Sequence, residues 1–107
     1  MINDLYILDG HRPVRCDSCT WGKFMKKVDR IVKKTEVAKG IIVSTVFLGL
    51  DHRFVGRGPP ILFETMTFGG SRDGQMYRYS SWDDAEAGHE AEVKRVVKAL
   101  KVLENKG

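Results

Sequence analysis

The chain has 107 residues, of which 42% are hydrophobic and 30% charged. This suits one domain with a single modest core; it excludes a disordered tail, and no run reaches the ~18 apolar residues a membrane span needs. The net charge of +4 is concentrated, because residues 23–39 hold seven Lys or Arg against Asp29 and Glu36 while the rest of the chain sums to −1.

Met1-Ile2-Asn3-Asp4 has neither the basic stretch nor the apolar core of a secretory leader, so a cytoplasmic location is expected. Leu5-Tyr6-Ile7-Leu8 reads as a strand, Asp9-Gly10 as a tight hairpin turn, and His11 to Cys16 as the returning strand. Pro13 cannot donate a ladder hydrogen bond, which places that strand at an edge. A helix is expected to start at Asp17 or Ser18, both good N-caps, with Gly40 either stopping it or ending the turn that follows. Trp21, Phe24, Val28, Ile31 and Thr35 recur at helical spacing along it. Lys23, Lys26, Lys27, Arg30, Lys33 and Lys34 fall mostly off that stripe.

Ile41 to Leu50 is β-branched and nearly all apolar, the pattern of a central strand. Val55-Gly56-Arg57-Gly58 forms a turn, and Pro59-Pro60 delays the next strand, Ile61 to Phe68. A loop over Gly69-Gly70-Ser71-Arg72-Asp73-Gly74 leads to a third strand, Gln75 to Ser80. The last helix opens at Ser80 or Ser81, with Asp83, Asp84 and Glu86 early and Lys94, Arg95, Lys98 and Lys101 late, as the helix dipole favours. Trp82, Ala85, His89, Val93, Val96, Leu100 and Leu103 form its inward stripe. The expected architecture is α+β over a single domain, 1–107, in the order ββαβββα. An N-terminal hairpin and a three-stranded antiparallel meander are packed by two helices.

Cys16-Asp17-Ser18-Cys19 has the C-x-x-C spacing of zinc or redox sites, but no second pair completes a four-ligand set, so no metal and no cofactor are expected. Asp51, His52, Glu64 and His89 are the more informative set. Glu64 shares a strand face with Leu62, Met66 and Phe68, and a carboxylate on an apolar face needs a partner; His89, His52 and Arg78 are the candidates. A Glu64–His89 pair would tie the last helix to the sheet. The same side chains could instead line a binding pocket, or act on a divalent metal. Arg57 and Gly69-Gly70-Ser71-Arg72 are loops able to cradle a phosphate. Tyr77 and Tyr79 share one strand face and would form an interaction patch if that face were open, whereas Trp21 and Trp82 belong to inward stripes.

The words Leu50-Asp51-His52, Phe63-Glu64-Thr65-Met66, Arg78-Tyr79-Ser80-Ser81-Trp82 and Glu86-Ala87-Gly88-His89 resemble those of a family of small proteins common in tailed bacteriophages and prophages. The likeness covers residues 43–90 and implies a phage origin; it implies no activity. The basic segment and the two cysteines lie outside it.

A small phage product without a catalytic signature is expected to be an accessory binding protein. It would counter host defence or redirect a host process by binding a host protein or a small signalling molecule in the cytoplasm of the infected cell. Asp51, His52, Glu64, Arg78, Tyr79 and His89 are the candidate binding residues, with none assigned to catalysis. Self-association stays open. The alternatives are a small metal-dependent enzyme built on His52, Glu64 and His89, and a nucleic-acid module using the basic first helix, whose lysines imply only weak contacts.

Overall fold

A computed structural model describes residues 4–106. Met1 to Asn3, on which the leader expectation partly rests, and Gly107 lie outside the described residues. The elements are β1 (Leu5–Asp9), β2 (Arg12–Cys16), α1 (Ser18–Lys27), β3 (Ile31–Ala38), β4 (Ile41–Phe47), β5 (Phe63–Phe68), β6 (Met76–Tyr79) and α2 (Trp82–Lys106). The fold is α+β, with a two-stranded hairpin β1-β2 and a four-stranded antiparallel meander β3-β4-β5-β6.

The first helix is shorter than its spacing implies, and a strand follows where helix was expected. Asp17 caps α1 by accepting a hydrogen bond from the Thr20 N–H (2.7 Å), and Lys26 and Lys27 sit at the negative end of its dipole. Val28 turns the chain out into extended conformation. Asp29 then accepts from the Ile31 N–H (3.0 Å), and β3 begins. Ile31 and Thr35 are four apart, a spacing shared by a helix stripe and a strand face, so their recurrence could not separate the two periods. The decision falls to Ile31, Val32, Thr35 and Val37, which are β-branched, and to the tight turn at Lys39-Gly40, where Gly40 has φ +78°. Both favour a hairpin with β4.

One sheet face carries Val43, Thr45 and Phe47 opposite Thr67, Thr65 and Phe63, with Tyr77 and Tyr79 beyond them. The helix α2 lies across this face from β3 to β6. Ser81 caps α2, its hydroxyl accepting from the Asp84 N–H (3.1 Å). At one end of the layer, Phe47, Leu62, Phe63 and Ala85 are buried together, and Tyr6, Leu8, Phe24, Val32 and Trp82 pack around them. The hairpin and α1 therefore close the end of the helix–sheet layer. Trp21 Nε1 and the Tyr6 N–H both donate to the Gly49 carbonyl (2.8 and 2.9 Å), which fastens them to the end of β4.

Candidate functional site

The six nominated residues are divided among three places. Asp51 and His52 close the base of the loop between β4 and β5. Asp51 accepts from the Arg53 and Ile61 N–H groups (2.8 and 2.9 Å), and His52 Nδ1 donates to the Leu50 carbonyl (2.7 Å). Glu64 accepts from Arg78 Nε (3.0 Å) across β5 and β6. Of the three partners expected for Glu64, the structure selects Arg78, and it corrects the Glu64–His89 pair. Glu64 points to the uncovered side of the sheet and His89 to the side under α2, so strand alternation separates them. His52 is held apart in the loop after β4, so His52, Glu64 and His89 do not converge as a metal or acid–base set, and no group of three or more metal-ligating side chains occurs among the described residues.

Beneath α2 the sheet is lined with hydroxyls. His89 is fully buried; its Nε2 is hydrogen-bonded to Thr35 and its Nδ1 to Thr45, each at 2.8 Å. Thr45 continues to Thr65 (2.6 Å), whose hydroxyl lies within reach of Tyr79. One hydrogen-bonded line thus crosses β3, α2, β4, β5 and β6. A turn further along α2, Glu92 is also fully buried. It accepts from Thr67 (2.6 Å), twice from Arg72 (3.0 Å each) and from Arg95 (3.2 Å). Arg72 also donates to the Tyr77 hydroxyl (2.8 Å), and the Arg95 guanidinium lies over the Tyr77 ring. Buried polar groups are tolerated when satisfied in this way.

The tyrosine face is therefore covered rather than open, and the Arg72 guanidinium is spent on Glu92 rather than held for a phosphate. Sequence reasoning missed Glu92 because a charged residue rarely lies on an inward stripe. The signal was present, in Thr65 and Thr67 on one strand face and His89 and Glu92 one turn apart.

These two networks set the acid response. Burial holds the His89 imidazole below its ordinary pKa, with Lys33 acting in the same direction and Glu90 opposing. Burial pushes the Glu92 carboxyl up, but hydrogen bonds from Arg72, Thr67 and Arg95 outweigh it and the net shift is downward. The unfolded chain then takes up protons that the native state refuses, first at histidine near pH ~6.5 and later at glutamate near ~4.3. The expected result is a Tm that falls in two stages as the pH is lowered. In melts from pH 8 to 3, His89→Gln should flatten the first stage and leave the second. Equal slopes for wild type and variant between pH 6.5 and 5 would remove His89 from this role.

Comparison of the chain with family models, with curated proteins and with solved structures found no match. What its distinctive words do is nevertheless visible in the packing. Leu50-Asp51-His52 staples a loop, Thr65 joins the hydroxyl line, and Gly88 lets Tyr79 lie against α2. A Cβ on Gly88 would meet the Tyr79 hydroxyl at 2.0 Å.

The basic segment is broken up by the strand β3. Lys23, Lys26 and Lys27 lie on α1, Lys33 is paired with Glu90 of α2, and Lys34 faces the other side of the sheet. Cys16 ends β2 and Cys19 is exposed in α1; both are free thiols. Burial, with Asp17 beside it, pushes the Cys16 thiol up, away from the reactive thiolate.

A cleft of about 480 Å³ separates the hairpin tip and α1 from the start of β3 and α2. Leu8, Phe24, Val28, Ile31 and Trp82 form its walls, with His11, Asp29 and Arg30 at the polar positions. Trp82 is stacked on His11 (centroids 3.8 Å apart, planes 4° apart), which joins the hairpin to the start of α2. The buried Trp82 Nε1 donor has no acceptor among the described residues. Val28 and Ile31 are exposed at the rim.

Proposed function

We propose that this chain is an accessory binding protein of a tailed phage, acting in the host cytoplasm on a host protein. Its working site is the cleft between the hairpin–α1 unit and the sheet–α2 body. The observation that supports this reading is the lining of that cleft: five bulky apolar side chains around about 480 Å³, with one acid and one arginine at its edge. Binding pockets have this size and composition. Near-neutral apolar walls favour a protein segment with a bulky apolar side chain over a phosphorylated signal. The one indole is already stacked on His11 and is not free to take a base on that side. No helix among the described residues is long and apolar enough to cross a membrane.

The test is capture from a bacterial lysate by wild type, Val28→Glu and Ile31→Glu. Both side chains are exposed at the rim, so the variants should keep the wild-type melt. The expected outcome is a partner held by wild type and lost by at least tenfold in both variants, about 1.4 kcal/mol or more. Retention of the same proteins by all three would overturn the reading, as would capture of none.

A further inference from the structure

We infer that the uncovered face of the four-stranded sheet is a self-association surface, on which a second copy of this chain packs face to face about a two-fold axis. The inference is independent of the cleft, which lies at the end of the α2 side.

Half of the side chains on this face are apolar, where a solvent-facing antiparallel sheet is ordinarily polar. Strand alternation places Ile42, Val46, Met66, Phe68 and Met76 on it, with Ser44, Lys34, Glu36, Glu64 and Arg78. Phe68 is 48% and Met76 43% exposed. No helix or hairpin makes more than marginal contact with this side. The chain thus covers its threonine-rich face with α2 and leaves the face with Phe68, Met66 and Ile42 in water. Large apolar side chains left exposed side by side on a sheet face mark an interaction surface, and a partner covering them explains the arrangement.

The charges specify the partner. Lys34 lies opposite Ser44, which lies opposite Met66; Glu36 lies opposite Ile42, which lies opposite Phe68. These are adjacent rows running across the strands. Glu64 and Arg78 neutralise each other within the protomer. Lys34 and Glu36 have no partner within the described residues. An axis perpendicular to the strands and midway between the two rows lays each strand antiparallel over its own copy. Lys34 then meets Glu36 of the second copy, twice by symmetry, and Met66 meets Phe68, a sulfur–aromatic pairing that also occurs twice. Two sheets pack in this way about 10 Å apart. The net charge of the face is zero, which suits a second identical face better than a polyanion. Four strands of four to eight residues span roughly 20 by 20 Å, about 800 Å² over both partners, which is below the range of stable interfaces, so the dimer is a weak one that forms only at high concentration.

Sedimentation equilibrium of the full chain from about 10 to about 500 µM brackets the Kd such a small face supports. The apparent mass is expected to rise from the 12.1 kDa monomer toward twice that value. Phe68→Lys should weaken association at least tenfold, about 1.4 kcal/mol or more, with an unchanged melt at low concentration. Lys34→Glu should weaken it too, and Lys34→Glu with Glu36→Lys should restore it, since the swap recreates both ion pairs. A chain that stays monomeric throughout overturns the inference. So does a dimer indifferent to Phe68→Lys, or one that the charge swap fails to restore. Loss of lysate capture in Val28→Glu with the dimer intact would bear on the cleft alone.

Discussion

Replacing Arg72 with methionine is expected to lower stability by about 3 kcal/mol, because it leaves the buried Glu92 carboxylate with one weaker cationic partner. Arg72 alone gives Glu92 two parallel hydrogen bonds (3.0 Å each) and carries a third to the Tyr77 hydroxyl. Arg95, at 3.2 Å and nearly half exposed, does not replace that geometry. For a domain of this length the loss corresponds to a Tm lower by more than about 10 °C. Breaking a buried pair and removing it are different operations. Arg72→Met combined with Glu92→Met leaves no buried charge and should recover most of the lost stability. A double variant as unstable as Arg72→Met would show that packing around these stems, and not the stranded charge, sets the cost.

Gly88→Ala should cost about 2–3 kcal/mol, although alanine is the better helix former by about 1 kcal/mol. The added Cβ would lie 2.0 Å from the Tyr79 hydroxyl and 2.1 Å from Cζ, so either the ring turns away or α2 lifts off β6. Either movement disturbs the hydroxyl line from Thr65 to His89, which depends on the distance between helix and sheet. Tyr79→Phe keeps the ring carbon in the way and should rescue little. Tyr79→Val vacates the space and should make Gly88→Ala nearly neutral in that background, a coupling that a double-mutant cycle of thermal melts measures. Additive effects would mean that Tyr79 is not what excludes a side chain at position 88.

Much of the architecture follows from local chemistry. The Asp9-Gly10 turn, the Asp17 and Ser81 caps, the β-branched run of β4 and the inward placement of His89 need only neighbours within a few residues. The pairing of Glu64 with Arg78 was among the expected ones, and the β5–β6 register brings those positions opposite each other. Val28 to Thr35 was ambiguous for a physical reason: residues four apart satisfy both periods, and only pairing with β4 decided for β3. The larger reversal concerns which face of the sheet is covered. On β5, Glu64, Met66 and Phe68 alternate with Phe63, Thr65 and Thr67, so each face mixes apolar side chains with polar ones, a carboxylate on one and two hydroxyls on the other. The tertiary structure buries the latter. Phe47 and Phe63 meet Ala85 at one end, and His89 and Glu92 arrive on α2 more than twenty residues later to satisfy the threonines. Hydrogen-bond complementarity between a helix and a distant sheet has no local period. The sequence therefore determined the elements and their caps, while the fold alone determined which face became the interior and which was left uncovered.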